Sequence, residues 1–161
     1  MVIAAAAATL SAETIDRVLA VAAGQVITLS DVTAAREFGL ASPAAGADPV
    51  RAMLSALIDR ELVLAEVDRY APPEPARDAI DREFAAVRER FSSQAAFDAA
   101  LARSGIGAGQ VREALRHNLR IRAYEDQRFP SSDPRRETLI SEWIAGLRRR
   151  GDVVDLYLTA R

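Results

Sequence analysis

Residues 16–32 read Asp16-Arg-Val-Leu-Ala-Val-Ala-Ala-Gly-Gln-Val-Ile-Thr-Leu-Ser-Asp-Val32. Two short runs rich in Val, Ile and Leu, Arg17–Val21 and Gln25–Leu29, flank Ala22-Ala23-Gly24. Gly24 can take the positive φ that a tight hairpin turn needs, so this stretch is predicted to be a β-hairpin. Ser30 follows as an N-cap whose hydroxyl can accept an orphan amide, with a helix running to about Phe38 and Gly39 opening a loop. At the far end, after Gly151, Val153-Val-Asp-Leu-Tyr-Leu158 reads as a strand. A lone hairpin is marginal in water, so the two ends of the chain are expected to meet in one small antiparallel sheet.

Everything between these ends is helical in pattern. Asp48-Pro49 restarts a helix, with Asp48 as cap and Pro49 in the first turn, where its missing N–H is not needed. Val50, Met53, Leu54, Leu57, Ile58, Leu62 and Ala65 recur at helical spacing as far as about Tyr70. Pro72-Pro73-Glu74-Pro75 breaks the pattern. Ala76, Ile80, Phe84, Val87 and Phe91 mark the next helix, opposite a face carrying Arg77, Asp78, Asp81, Arg82, Arg88 and Glu89. Ser92-Ser93 caps a shorter helix with Phe97, Ala100 and Leu101, closed by Ser104-Gly105. A further helix is predicted from about Ala108 to Phe129, with Val111, Leu115 and Leu119 on one side. Asp133-Pro134 then caps the cleanest amphipathic stripe in the chain, Leu139, Ile140, Trp143, Ile144 and Leu147. Arg148, Arg149 and Arg150 end it, where cations oppose the negative end of the dipole. The fold class expected is mainly α, a multi-helix body closed by a small antiparallel β element made of the N-terminal hairpin and the C-terminal strand.

The chain has 161 residues, 50% hydrophobic, 27% charged and 6% aromatic, with one His and no Cys. That length suits one domain burying roughly 70% of the surface of its unfolded chain. The composition excludes collagen-like, disulfide-rich and strongly disordered classes. Charges nearly cancel, 21 basic against 23 acidic, and the pI is about 5.5. A nucleic-acid-binding domain usually carries a basic excess, which is missing here. All the basic residues are Arg, which points to GC-rich codon usage and to no mechanism. Without Cys there are no disulfides, thiolate nucleophiles or thiolate metal sites.

Residues 2–12, Val-Ile-Ala-Ala-Ala-Ala-Ala-Thr-Leu-Ser-Ala, form an uncharged apolar run. It is shorter than the about 20 residues a membrane-spanning helix needs. Its composition fits the h-region and Ala-x-Ala-like end of a secretory signal, although no Arg precedes Arg17. Residues 1–12 are therefore expected to be a signal-peptide remnant and 13–161 a single domain, with a C-terminal helix over 133–150 and a strand over 153–158 returning to it.

The residues that could carry chemistry point away from catalysis. His117 lies among Arg112, Glu113, Arg116 and Arg120 on a charged helix face without metal-ligand spacing, and a solvated surface His is expected. Gly105-Ile-Gly107-Ala-Gly109 follows a helix, whereas phosphate-binding glycine loops follow a strand, so it reads as a helix-to-helix turn. Pairs such as Asp78/Asp81 and Glu125/Asp126 sit among Arg at helical spacing and read as surface ion pairs of about 0.2–0.5 kcal/mol each. Arg148–Arg150 could touch phosphate, but Trp143 continues an apolar stripe and belongs in a core. No nucleophile elbow occurs. No catalytic, metal or cofactor residue is assigned, and no cofactor is expected. What remains is apolar surface in grooves between helices that could accept a partner's apolar segment.

Two stretches sharpen this reading. The hairpin running directly into a capped helix, Asp16–Val32, resembles the opening of the N-terminal domain of SurA-type periplasmic chaperones. Leu57-Ile-Asp-Arg-Glu-Leu-Val-Leu-Ala-Glu66 looks like that family's most recognisable helix. The order afterwards is similar too: a helix after a Pro-containing break, a short helix with Phe97, a Gly turn, a long Arg-rich helix, then a returning helix with Trp143 and a strand. The resemblance covers roughly residues 16–129 and 137–158. In the family, parvulin-type prolyl isomerase domains usually lie between the long Arg-rich helix and the returning one. Here only Phe129 to Asp133 separate them, far too short for a domain.

The resemblance implies an exported, periplasmic, ATP-independent module that binds unfolded polypeptide or outer-membrane-protein segments in apolar interhelical grooves, without isomerase activity. It carries over no residue-level client-binding motif. Neither nucleic acid nor stable membrane insertion is expected. The rival expectation is a structural or assembly subunit, docked permanently on one folded partner or on itself. A cytoplasmic DNA-binding regulator comes third, since it predicts salt-sensitive DNA binding that the charge balance does not favour.

Overall fold

The structure, a computed structural model, describes residues 16–157. The signal-like stretch and Leu158 lie outside the described residues. In chain order the elements are β1 (Val18–Ala22), β2 (Gln25–Thr28), α1 (Leu29–Phe38), α2 (Pro49–Tyr70), α3 (Arg77–Glu89), α4 (Gln94–Ser104), α5 (Ala108–Arg128), α6 (Arg136–Arg150) and β3 (Val153–Asp155). The fold is mainly α, with a three-stranded antiparallel sheet in the order β2-β1-β3. The two ends of the chain do meet in one sheet, with β1 in the middle.

Ala23 and Gly24 form the hairpin turn with φ of 50° and 78°. Two successive positive φ values give the primed turn whose twist matches the flanking strands. Gly24 adopts this region freely, and Ala23 is held there by its N–H bond to the Asp152 carbonyl at 3.0 Å. A register shift between Val18 and Ala20 lets both Leu19 and Ala20 turn inward, at 1% and 0% exposure. The opposite face stays open. Val26, Val21 and Val154 align across the three strands, and Val26 and Val154 are about half exposed.

The first helix is capped two residues earlier than expected. Thr28, and not Ser30, accepts the Asp31 N–H at 3.2 Å while the Asp31 carboxylate takes the Thr28 N–H at 2.8 Å. This reciprocal box satisfies two orphan donors at once, and Ser30 has no acid three residues on to match it. Asp48 caps α2 as expected, accepting from the Val50 and Arg51 amides at 3.0 Å each, with Pro49 in the first turn. Ser93 caps α4 and Gly105 ends it in the left-handed region. Asp133 does not cap α6 directly. Its carboxylate accepts the Arg135 N–H in a turn and its carbonyl accepts from Arg136, where the helix begins. The last strand is shorter than 153–158, ending at Asp155, although Leu156 N–H still bonds the Leu19 carbonyl at 2.9 Å.

Helix α2 runs through the middle of the body and contributes Met53, Leu54, Leu57, Ile58, Leu62, Val63 and Val67 to the core. It packs against the sheet, α1, α5 and α6. On one side Phe97 sits among the rings of Phe38, Phe84 and Phe91, with centroids 5.3–5.7 Å away and mainly edge-to-face. That geometry adds to the about 1.5–3 kcal/mol expected for burying each such ring. On the other side Trp143 meets Tyr124 and Phe129, which fastens α6 to the end of α5. Trp143 is a core residue, as its stripe implied. Leu139, Ile140 and Ile144 of that stripe remain only partly buried.

Candidate binding cleft

The loop from Gly39 to Asp48 does not close over the helices it connects. Phe38 ends α1 and Gly39 adopts φ 58°, which turns the chain away. Arg90 donates to the Phe38 carbonyl and occupies the space where a Cβ on residue 39 would lie. Asn118 of α5 donates to the Leu40 carbonyl at 2.8 Å. The root of the loop is thus pinned to α3 and α5, while Pro43 to Ala47 remain exposed.

Between this loop and α2, α3 and α5 lies an open cleft of about 1090 Å³. Apolar side chains line it from every wall: Leu40 and Ala44 from the loop, Ala52, Ala56 and Val63 from α2, Ala86 and Val87 from α3, Leu115 and Ile121 from α5, and Ile144 from the neighbouring α6. Small-molecule pockets usually fall at roughly 300–1,000 Å³ and enclose their ligand. This cleft slightly exceeds that range and is open, dimensions that suit a length of chain.

Its charged rim is almost fully paired. Asp59 holds Arg148, which also donates to the Ser55 carbonyl at 2.8 Å. Arg60 reaches Glu61 at 2.7 Å, Asn118 at 3.0 Å and the Ala114 carbonyl at 3.2 Å. Glu83 holds Arg122 at 2.9 Å, and Arg51 holds Asp155. Asp48 is occupied by its cap and by the Tyr157 hydroxyl at 2.9 Å. Glu125 alone among the cleft carboxylates has no cation within 4.0 Å and no side-chain hydrogen bond among the described residues. Burial holds its carboxyl above the ordinary range, partly offset by Arg136, and the nearby Asp126 and Glu137 push the same way as burial.

A second, smaller groove of about 620 Å³ lies on the other side of α3, over Ile80 and Phe84 and between Arg77, Arg88, Arg112 and Arg116. The Arg112 guanidinium stacks 4.0 Å from the Phe84 ring centroid while bonding Asp81.

The residues singled out from sequence fall as follows. His117 is half-buried, not fully solvated: Glu113 Oε1 and Arg116 Nη2 both lie 3.0 Å from its Nε2. Burial and the charges of Arg60, Arg116 and Arg120 lower its pKa against the pull of Glu113. Arg120 is not on a solvated face either. It is 8% exposed, paired with Asp68 at 2.8 Å and lying 3.3 Å from Glu74, because the end of α2 and the Pro-rich segment after it bring one acid each over it. Gly105 to Gly109 form a helix-to-helix turn, in which Gln110 Oε1 accepts the Gly107 N–H. Asp78 pairs with Arg82, Asp81 with Arg112 and Asp126 with Arg136. The pairing expected of Glu125 is not made. Arg148 joins α6 to α2, so of the three terminal arginines only Arg149 and Arg150 lack a carboxylate partner among the described residues. No three His, Asp or Glu side chains come together as a metal site among the described residues. No described helix is long and apolar enough to cross a membrane. The cleft residues themselves were not foreseen, since no local pattern marks where helices stand apart.

No family model matches the chain, and no curated protein matches it either.

Proposed function

We propose that the chain is a non-enzymatic, ATP-independent chaperone-like module that holds unfolded polypeptide, outer-membrane-protein segments included, in the cleft between α2, α3 and α5. The observation that carries this reading is the cleft itself, apolar on its walls, open at one side, and rimmed by charges that are, Glu125 apart, already engaged. A client's apolar side chains would leave water against Val63, Leu115 and Ile121, and each buried CH₂ would contribute about 0.8 kcal/mol. Ordering the client opposes this gain, so affinity is modest and exchange rapid. The reading carries with it a periplasmic location, an exported precursor and the absence of prolyl isomerase activity. The likeness of residues 16–129 and 137–158 to SurA-type N-terminal domains supports it.

The test is light scattering of a denatured outer-membrane barrel protein diluted into buffer, without ATP, with and without the full chain in excess. Suppression is expected from the chain and not from a size-matched inert helical protein. Ala86→Arg, at an exposed position lining the cleft, should weaken it. Unchanged aggregation across a range of excess would overturn the holdase role.

A second reading, a subunit docked on one folded partner or on itself, is favoured by one feature. Val26 and Val154 flank Val21 on the open sheet face, with Val18 and Leu156 also exposed. Contiguous exposed apolar surface often marks an interface. Sedimentation of the wild type and of a Val26→Thr, Val154→Thr double variant tests self-association. A monomeric mass independent of concentration would count against it.

A further inference from the structure

The charges around the cleft also bear on which segments it would hold, given the polypeptide-holding role proposed above. Four carboxylates line the cleft, and three are occupied: Asp48 by the α2 amides and Tyr157, Asp59 by Arg148, Glu83 by Arg122. The fourth, Glu125, stands in the penultimate turn of α5, whose carbonyl end already carries partial negative charge. Arg136, the cation whose charge partly offsets the burial of Glu125, is engaged by Asp126 at 2.6 Å and by the Phe129 carbonyl at 2.9 Å. The cleft's cations are also occupied, since Arg90 lies on the carbonyl end of α1 at Phe38 and Arg122 on Glu83. The cleft lining is balanced in formal charge, four carboxylates against Arg51, Arg60, Arg90 and Arg122, but Glu125 is its one carboxylate with neither a cation nor a side-chain hydrogen-bond partner among the described residues.

We propose that the cleft selects extended segments in which a Lys or Arg is flanked by apolar residues, with Glu125 receiving the cation. The apolar neighbours would lie against Ile121 and Ile144, which line the cleft with Glu125. The bound cation would relieve the half-buried carboxylate, so this contact strengthens relative to one made in open solvent.

The experiment uses the full chain and three fluorescein-labelled peptides that share one apolar sequence and differ only at a central Lys, Gln or Glu. Fluorescence anisotropy is expected to show the Lys peptide binding roughly fivefold tighter than the Gln peptide, the size of a partly screened charge-assisted contact, and the Glu peptide weakest. Glu125→Gln should erase the Lys preference, while Glu142→Gln, at an exposed α6 residue that does not line the cleft, should keep it. Equal binding of Lys and Gln peptides by the wild type would overturn the proposal and leave the cleft's role as a holding site intact. A preference that survives Glu125→Gln would overturn it in the same way. No binding of any peptide would overturn the holding role itself, and the charge selection with it.

Discussion

The hydroxyl of Tyr157 donates to the Asp48 carboxylate at 2.9 Å, joining the residue that caps α2 to the segment that follows the last strand. The other Asp48 oxygen accepts the Val50 and Arg51 amides, so one side chain starts the longest helix and anchors the returning chain. Arg51 reinforces the junction by bonding the Tyr157 carbonyl at 2.6 Å and lying 4.7 Å from its ring centroid. The sheet and the helical body are therefore closed by contacts between residues more than a hundred positions apart.

The amide hydrogen bonds to Asp48, Arg51's first, and the Tyr157 hydroxyl stabilise its ionised form and depress its pKa below 3.8. A depressed folded-state pKa contributes stability that is present above 3.8 and is lost as pH falls through the lower folded value. Asp48→Ala should lower the melting temperature at neutral pH and flatten this acid limb. Asp48→Asn, which can still cap, should lose less. Melting curves from pH 2 to 7 check both, and equal curves for the two variants would contradict the capping account.

Phe97 is 2% exposed and touches three rings from α1, α3 and the segment after α3. Phe97→Ala should cost about 3–5 kcal/mol, since the surrounding rings cannot all collapse into the space left. Leu54→Ala, fully buried in α2, should cost about 2–5 kcal/mol. Urea unfolding monitored by circular dichroism measures both.

Two glycines should respond with opposite sign. Gly39 holds φ 58°, and a Cβ there meets the Arg90 guanidinium, so Gly39→Ala should destabilise by about 1–2 kcal/mol. Gly109 lies in the first turn of α5 with open space around it, and Gly109→Ala should be neutral or stabilise by up to about 1 kcal/mol. A shared sign in denaturant titrations would show that local backbone conformation does not decide these sites.

Much of this fold was legible because its signals are local. Asp48-Pro49, Ser93, Gly39 and Gly105 each mark a helix end through their own backbone or a neighbour's amide, and the hairpin turn lies within six residues. Thr28 and Ser30 can both cap, and Asp31, three residues after Thr28, decides between them. The burial of Arg120 is not legible in its own helix, because the acids that cover it, Asp68 and Glu74, lie outside that helix and arrive only when the chain folds back. The cleft has the same cause. Its walls come from separate helices, and the gap between them depends on where Arg90 and Asn118 pin the loop.

The pH response near neutrality should come from His117. Burial, with Arg60, Arg116 and Arg120, lowers its folded pKa below 6.5, so the unfolded chain binds the proton more readily. Stability from this site is full above about 6.5 and declines as pH falls toward the folded value. His117→Gln should remove that decline. Glu125 acts in the opposite sense, because its folded pKa is raised above 4.5. Glu125→Gln should be at least as stable as the wild type at pH 7, with any advantage fading as pH drops toward 4.5. Thermal melts at pH 4 to 8 check both signs.

The most direct test of the cleft is site-specific photocrosslinking to a denatured client. Benzophenone-bearing residues would replace Ala56 and Ala86 in the cleft, Val154 on the sheet face, and Arg149 on the outer surface of α6. The expected result is client adducts from positions 56 and 86 and none from 154 or 149. Adducts from 154 with none from 56 or 86 would contradict the account and move the binding surface to the sheet.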